Sequence, residues 1–263
     1  MAQLFSLRES ANQPVKTVGG KAHALGKLIE FGAPVPPGFV VPSDIDLNDE
    51  KENLLSAFAA LSAQFVAVRS SATGEDSRDQ SWAGQFESFL CVSGSDLIGR
   101  IADCRDSLIS ARAKAYYDDA DVTMAVLVQA MIPSDVSGVL FTANPVTNDR
   151  NEIIVEAVYG LGEQLVQGLA TPDRFVLDAA GVIKTSSIAT KNTELTGSGR
   201  GIAARAVPAT LQNKPALSHG QCQEVARLAN RLEVSFGYPL DIEFAYHNNQ
   251  LYIVQARPIT TFS

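Results

Sequence analysis

The residues of this chain that are best suited to metal and phosphate chemistry lie near its C-terminal end. Asp241 and Glu243 alternate with apolar residues in one segment, and Gln255 and Arg257 alternate with apolar residues in the next. Alternation with a period of two predicts a β-hairpin whose strands each have one apolar and one polar face. Two carboxylates, an amide and a guanidinium on one face would suit Mg2+ and phosphate oxygens. A solvent-facing salt-bridge pair on an edge hairpin is the plainer alternative.

The pairing register of this hairpin decides whether the polar groups share a face. A two-residue Asn-Asn turn would place Glu243 opposite Val254 and mix charged with apolar residues on both faces. A three-residue loop, 247–249, would place Asp241 opposite Gln255 and leave the even-numbered residues on the core face. The sequence therefore predicts a loop with an odd number of residues. The even-numbered set expected in the core is Ile242, Phe244, Tyr246, Tyr252, Val254 and Ala256.

Composition limits the classes of function. The chain has 263 residues, 46% of them hydrophobic and 19% charged, with a formal net charge of −8. These values are typical of one large globular domain or of two lobes. The negative charge argues against nucleic acid or an anionic membrane as a general partner. We expect a cytoplasmic protein, because no signal peptide, membrane-spanning stretch or cysteine pair is evident. No zinc-type ligand spacing is evident either, which argues against a zinc site.

A glycine pair near the N-terminus precedes a predicted helix. Gly19 and Gly20 are followed by Lys21, the apolar spacing after it is helical, and Gly32 is a natural C-cap. Free N–H groups at a helix N-terminus beside a lysine would suit a phosphate. A surface lysine on an ordinary helix is the alternative.

A buried strand is predicted at residues 65–69, and it ends at Arg69. Residues 70–84, rich in hydroxyl-bearing and small side chains, predict a mobile loop able to close on a triphosphate. Trp82 in that loop would either seal a site from water or pack against a neighbouring helix.

The remaining elements follow from apolar periodicity. Helices are predicted at 49–62, 94–117 and 219–236, strands within 124–133, 135–145 and 152–158, and a hairpin at 174–178 and 182–184. The glycine-rich segment 191–206 has no apolar pattern and is predicted to be flexible. The elements group into an α+β protein with an N-terminal lobe at 1–120 and a strand-rich C-terminal lobe at 121–263. A cleft between lobes is where a ligand site is expected.

Six ordered motifs give the chain a family resemblance. They are VGGKAHALGKL, PVPPGFVV, VAVRSSATGEDS with SWAGQFESFL, VLVQAMIPSDVSGVLFTANP, EAVYGLGEQLVQGLATPD and DIEFAYHNNQLYIVQARPIT. Together they closely resemble the N-terminal ATP-binding domain of phosphoenolpyruvate synthase, pyruvate phosphate dikinase and rifampicin phosphotransferase. The resemblance implies an ATP-grasp fold, with Mg-ATP held between two lobes. In these relatives ATP is cleaved to AMP, and the β-phosphoryl group passes to a histidine on a swivelling domain.

The resemblance also implies roles for individual residues. Lys21 and Arg69 are implied to contact the phosphates, and Arg257 to be a further phosphate-binding arginine. The implied magnesium-side residues are Glu243 and Gln255, with Asp241 as their acidic neighbour. The implied adenine-binding residues are Gln129, Ala130 and Met131, the ribose is implied at Glu156, and the implied phosphate lid comprises Ser81, Gly84 and Gln85.

Two departures from the family pattern bear on function. The segment between PVPPGFVVP and VAVRSS is short, which implies a trimmed N-terminal lobe. His23, His219 and His247 match no phosphorylatable-histidine motif, so the acceptor is expected outside this chain, on a separate swivelling domain or as a small molecule. The start at Met1 and the short C-terminal tail favour a complete protein over an excised fragment.

Three functions remain open from the sequence. The first is a nucleotide-binding half that phosphorylates a histidine on another polypeptide. The second is a stand-alone ATP-grasp ligase or kinase that activates a small molecule in a biosynthetic pathway. The third, a non-catalytic ATP-binding module, is disfavoured because the implied catalytic and metal-binding residues are all present.

Overall fold

The structure is a computed structural model that describes residues 3–73, 87–107, 123–198 and 201–260. The chain divides into two units, each with its own sheet and core. The first unit comprises Met1–Glu30, Val35–Met131 and Gly199–Gly201. The second comprises Phe31–Pro34, Ile132–Ser198 and Ile202–Ser263.

The first unit is built on a five-stranded antiparallel sheet in the order β1-β2-β5-β3-β4. Its elements are β1 (Phe5–Ser6), α1 (Leu7–Ser10), α2 (Val15–Glu30), β2 (Gly38–Val41), α3 (Lys51–Ala60), β3 (Val66–Ala72), β4 (Ser88–Val92), α4 (Leu97–Asp106) and β5 (Met124–Ala130). The predicted lobe boundary at residue 120 falls before β5, yet β5 is hydrogen-bonded between β2 and β3 in the first sheet.

One face of this sheet forms a hydrophobic core with α3 and α4. Val66 and Val68 of β3 and Val126 and Val128 of β5 lie in that core. They are fully buried because alternate residues of each strand point to the same face. The predicted strand 65–69 extends to Ala72, so the first residues of the predicted 70–84 loop belong to the sheet. Of the helix predicted at 94–117, the described part is α4, and residues 108–117 lie outside the described ranges.

The second unit is built on a six-stranded antiparallel sheet in the order β13-β12-β6-β7-β8-β9. Its elements are β6 (Val136–Phe141), β7 (Glu152–Tyr159), α5 (Glu163–Val166), β8 (Asp173–Asp178), β9 (Ile183–Ser187), β10 (Thr193–Ser198), β11 (Gly201–Ala206), α6 (His219–Phe236), β12 (Leu240–His247) and β13 (Gln250–Pro258). Strands β10 and β11 pair separately as a two-stranded sheet.

Helix α6 covers one face of the six-stranded sheet. A capping box between Ser218 and Gln221 starts it, and Gly237 ends it in the left-handed conformation. The residues predicted to face inward, Val225, Leu228, Ala229 and Leu232, are all buried. The hydroxyl of Tyr246 on β12 donates to the Gln221 carbonyl and to Glu224, at 3.2 and 2.9 Å. The apolar side of β12 therefore faces α6.

Residues 191–206 were predicted to be flexible and without regular structure, whereas the described part of this segment contains the strands β10 and β11. Lys191 is buried, and its Nζ donates to Asp173 Oδ1 at 2.5 Å and to the Ala189 carbonyl at 2.9 Å. The second Asp173 oxygen accepts from the Ala216 backbone N–H at 2.7 Å. A long-range buried ion pair thus anchors the segment from which β10 begins, and nothing in the local composition reveals such a pair.

The three cysteines agree with the expectation of reduced thiols. Cys91, Cys104 and Cys222 are all buried thiols outside any disulfide. Burial raises the pKa of the Cys222 thiol to about 11, so this group is not a nucleophile at neutral pH. No helix within the described ranges is long and apolar enough to cross a membrane.

Candidate functional site

The hairpin β12–β13 turns through two residues, so the predicted three-residue loop is wrong. His247 pairs with Gln250 across Asn248 and Asn249. Both asparagines have positive φ, 50° and 61°, as required by the tight hairpin turn that matches strand twist. Asparagine tolerates this backbone conformation better than most side chains, and the Asn248 N–H donates to Asp135 Oδ2 at 2.7 Å.

A β-bulge restores the polar face that a two-residue turn alone would have split. Phe244 pairs with Ile253 while Glu243 pairs with Gln255, so Val254 is the additional residue of β13. Asp241 consequently pairs with Arg257. All four polar residues predicted to converge therefore lie on one face, by a different route from the predicted one.

The bulge also changes which residues of β13 are in the core. Leu251 and Ile253 are buried, whereas Tyr252 and Val254, which were predicted to be core residues, are only partly buried. The predicted core residues Ile242, Phe244, Tyr246 and Ala256 are buried as expected. The alternation on β13 reverses at Val254 because the bulge inserts one residue between two regular segments.

Asp241 and Arg257 form a close ion pair on this face. Arg257 Nε and Nη2 donate to Asp241 Oδ2 at 2.8 and 2.7 Å. The Asp241 side chain is 9% exposed. Burial raises the pKa of the Asp241 carboxyl, the Arg257 charge opposes this shift, and the Glu243 charge adds to it. The Arg257 guanidinium therefore stabilises the charged form of Asp241, which is poorly solvated at this position.

Strand register continues a row of mostly polar residues across the six-stranded sheet. Glu243 and Glu156 both pair with Val139, from opposite sides, and Glu156 also pairs with Arg174. Read from β13 to β9, one continuous row is Gln255, Glu243, Val139, Glu156, Arg174 and Ser187. Adjacent strands lie about 4.8 Å apart, so Glu243 and Glu156 start from backbone positions about 10 Å apart. The implied metal-side and ribose-side residues therefore lie in one row.

Arg174 belongs to this row and was missed from the sequence. Its Nη1 lies 3.6 Å from Glu156 Oε1. The sequence contained part of the signal for this charge pair: Glu156 interrupts an apolar strand, and Arg174 begins the strand that was predicted at 174–178. Only the pairing of β7 with β8 places the two charges opposite each other.

In the first unit, Gly19 brings the predicted lysine to β3. Gly19 has φ 78° and ψ 165°, which interrupts α2 so that a helical segment begins after the glycine, as predicted. The Ser71 hydroxyl donates to the Val18 carbonyl at 2.8 Å and accepts from the Ala22 N–H at 3.0 Å. A Cβ on Gly19 would lie 1.9 Å from the Ser71 carbonyl oxygen, so only glycine fits this approach.

Lys21 is buried at this junction. The residue is only 4% exposed, and its Nζ donates to the Ser70 carbonyl at 3.0 Å. Arg69 precedes Ser70 and shares a strand face with Ser71, which contacts α2. The structure thus brings Lys21 to the part of β3 that contains Arg69. The alternative of a surface lysine does not hold.

The implied adenine-binding stretch lies where β5 ends. The N–H groups of Ala130 and Met131 donate to the Pro37 and Phe65 carbonyls at 2.8 and 3.0 Å. Gln129 is buried, and its amide nitrogen is 3.4 Å from the Pro36 carbonyl. Both backbone donors are therefore used within the fold, and an adenine amino group would be recognised here by carbonyl oxygens.

The implied phosphate lid, with Ser81, Gly84 and Gln85, lies outside the described residues, as does Trp82. These residues remain sequence-based predictions.

The donor set on the β12–β13 face fits a magnesium ion. Among the residues that the structure describes, no group of three or more His, Cys, Asp and Glu is arranged to hold a metal. Mg2+ does not require one, since it is usually held by one or two carboxylates together with phosphate oxygens and water. The charge of Glu243 raises the pKa of Asp241, so the carboxylates repel each other, and a divalent cation would offset that repulsion.

Comparisons with known proteins show the family of the chain. A family model described as the pyruvate phosphate dikinase AMP/ATP-binding domain matches residues 45–263. The phosphoenolpyruvate synthase of Pyrococcus furiosus is 41% identical over 243 aligned positions, which cover 84% of this chain and 29% of that protein. A Bacillus subtilis protein named uncharacterized phosphotransferase YvkC is 33% identical, over 98% of this chain and 35% of its own length. The prodigiosin synthesizing transferase PigC of Serratia marcescens is 34% identical, over 93% of this chain and 32% of its own length.

The chain thus spans about a third of the length of these curated relatives. Among solved structures, an acetyl-coenzyme A synthetase of Ca. Korarchaeum cryptofilum superposes with a TM-score of 0.50 over 95% of both chains, at 11% identity. Such a likeness concerns the fold alone, and the fold is ATP-grasp, as predicted.

Proposed function

Because the chain belongs to the pyruvate phosphate dikinase AMP/ATP-binding domain family, we propose that it binds Mg-ATP and transfers a phosphoryl group to an acceptor outside the chain. The observation that supports this most directly is the polar row of the six-stranded sheet. Glu243 pairs directly with Gln255 in it and lies one strand from Val139 and two strands from Glu156. A metal-binding end and a hydroxyl-binding end in one row suit the phosphates and the ribose of one nucleotide.

In this proposal, Lys21 and Arg69 contact phosphate oxygens. Lys21 donates a hydrogen bond to the Ser70 carbonyl, and Arg69 lies directly before Ser70 on the same strand. A preorganised ammonium and guanidinium stabilise negative charge that develops on a transferring phosphoryl group. Their effect is greatest where water is excluded, which the burial of Lys21 favours.

The residues of the second unit hold the other components. Asp241, Glu243 and Gln255 would hold Mg2+, which when bound neutralises charge on the phosphates. Arg257 donates two hydrogen bonds to Asp241, which fixes the direction of that carboxylate. The opposite edge of the guanidinium is suited to a phosphate oxygen. Glu156 would accept hydrogen bonds from ribose hydroxyls.

The acceptor decides which phosphoryl group moves. In β-phosphoryl transfer, an acceptor nitrogen forms a bond to Pβ, the bond from Pβ to the α-phosphate oxygen breaks, and AMP leaves. Water then hydrolyses the bridge between the β- and γ-phosphates and releases phosphate. In direct γ-phosphoryl transfer, ADP leaves. Relatives named phosphoenolpyruvate synthase support a separate histidine-bearing domain as the acceptor, and a small molecule is the alternative. A cytoplasmic location is part of the proposal, supported by three buried cysteines that are not in disulfides.

The test begins with equilibrium binding of Mg-ATP to the 263-residue chain, followed by chromatographic analysis of the nucleotide products. We expect binding below millimolar concentration and slow formation of AMP and phosphate, with water accepting the phosphoryl group in the absence of the natural acceptor. Arg69→Ala and Glu243→Ala should each lower turnover by about 100-fold or more with little change in thermal stability. Arg227→Ala, which removes an exposed arginine of α6, is the matched control.

Failure to bind Mg-ATP at millimolar concentration would exclude a catalytic nucleotide function. ADP as the product would replace β-phosphoryl transfer by kinase or ligase chemistry. Unchanged turnover in the Arg69 or Glu243 variant would remove that residue from the mechanism.

A further inference from the structure

Arg174 occupies a special position in the second unit, because it is the ionic neighbour of Glu156 within the sheet. The two residues pair directly across β7 and β8, and Arg174 Nη1 lies 3.6 Å from Glu156 Oε1. The Glu156 side chain is 26% exposed and that of Arg174 is 42% exposed. A half-exposed pair of this kind contributes little to stability, so its position in the polar row calls for another role.

The other neighbours of Glu156 on this face are apolar. Along β7, Ile154 and Val158 share its face, and both are buried. Across the ladder on the side of β6, the paired residue is Val139. Within the sheet, the carboxylate therefore has apolar neighbours on three sides and the Arg174 guanidinium on the fourth.

This arrangement leaves one carboxylate oxygen for a ligand. The guanidinium approaches Oε1, while an ionised carboxylate has two oxygens and about four sites that accept hydrogen bonds. A carboxylate acts only as an acceptor. An oriented acceptor of this kind selects for hydroxyl donors and against ligands that lack them.

We propose that Arg174 is a positioning residue that orients the Glu156 carboxylate toward the ribose hydroxyls of the bound nucleotide, and thereby sets the preference for ribonucleotides over deoxyribonucleotides. The inference rests on the proposed function, since it requires that the polar row binds ATP. Arg174 itself does not contact the reacting phosphates in this proposal. Its backbone position lies three strands from that of Glu243, about 14 Å away.

The test compares the affinities of the 263-residue chain for Mg-ATP, Mg-2′-deoxy-ATP and Mg-3′-deoxy-ATP by calorimetry. In the unmodified chain, we expect ATP to bind about 10-fold or more tightly than at least one deoxy analogue. Glu156→Gln should abolish most of this preference. Arg174→Met should weaken ATP binding by about 3- to 10-fold and leave the affinity for the deoxy analogue nearly unchanged, so that the preference falls.

Arg174→Lys provides the rescue control, because it restores a cation without the planar guanidinium, and it should recover part of the preference. A merely structural role would instead lower the affinities for all three nucleotides together, and thermal unfolding of each variant separates that case. If the unmodified chain binds no ATP, the proposed function itself fails. If it binds ATP with a hydroxyl preference that Arg174→Met preserves, the proposed function stands and the role of Arg174 is wrong.

Discussion

The two units position their candidate site residues by different physical means. In the first unit, Lys21 and Arg69 come from segments far apart in the chain and are joined by helix-to-strand contacts through Ser70 and Ser71. In the second unit, Glu243 and Glu156 are aligned by the hydrogen-bond ladder of a single sheet. The first arrangement depends on a close approach of two backbones, and the second depends on register.

Each arrangement has one sensitive point. The close approach in the first unit requires the absence of a side chain at Gly19. The register in the second unit requires one additional residue, Val254, between two regular stretches of β13. The following variants test Gly19, the Asp241–Arg257 ion pair and the bulge at Val254, in order of decreasing expected effect.

Gly19→Ala should destabilise the first unit by about 3 kcal/mol or more. Its backbone, with φ 78° and ψ 165°, is nearly restricted to glycine, and the added Cβ would collide with the Ser71 carbonyl. Denaturant unfolding measures the loss. Gly32→Ala is the matched control, because Gly32 has φ 77° but no atom within 4 Å of an added Cβ, so we expect about 1 kcal/mol. Equal losses in both variants would show that close approach is not the constraint.

Arg257→Gln should destabilise the chain by about 2 to 4 kcal/mol at neutral pH, because it leaves the buried Asp241 carboxylate without its guanidinium. Burial already raises the pKa of Asp241, so its favourable contribution is present at low pH and is lost as pH rises through the raised pKa. Without Arg257 the pKa rises further. The difference in thermal stability from the unmodified chain should therefore grow from pH 4 to pH 7.

The double variant Asp241→Asn with Arg257→Gln is the control for this charge effect. It removes the buried carboxylate, so we expect it to be more stable at pH 7 than Arg257→Gln alone and to have a nearly constant deficit across pH. A deficit of Arg257→Gln that is the same at pH 4 and pH 7 would contradict the assignment to Asp241.

Two single-residue deletions test the bulge with small expected effects on stability, about 1 kcal/mol. Deleting Val254 or deleting Gln255 should produce the same regular strand, because either deletion removes the additional residue while keeping Asp241 opposite Arg257. The variants differ only in whether an amide or an isopropyl group faces Glu243. Mg-ATP binding should be retained within about tenfold after deletion of Val254 and should be weaker after deletion of Gln255. Equal binding by both variants would exclude the Gln255 amide from the site.

Much of the fold followed from local patterns. Helix α6 was predicted at its observed limits from the helical spacing of its apolar residues, and the structure shows that Ser218 and Gly237 cap its two ends. The alternating residues of β12 correctly separated Asp241 and Glu243 from Ile242 and Phe244. These signals reside within a few residues of one another, so sequence alone contains them.

Other features depended on distant partners. The 191–206 segment was misjudged because its anchor is the pairing of Lys191 with Asp173, and its composition alone resembles a flexible linker. The loop of the terminal hairpin was misjudged because a bulge and a longer loop both restore the same polar face. The partner of Glu156 was missed because the pairing of β7 with β8 is not encoded in either strand alone.

The sequence by itself therefore determined the types of chemical group, their alternation along each strand, and the family to which the chain belongs. Tertiary structure decided which groups meet. It placed the Lys21 ammonium within hydrogen-bonding distance of the Ser70 carbonyl and aligned Glu243, Glu156 and Arg174 in one row. The reason is physical: alternation assigns a side chain to a face, whereas register and backbone packing assign it a neighbour.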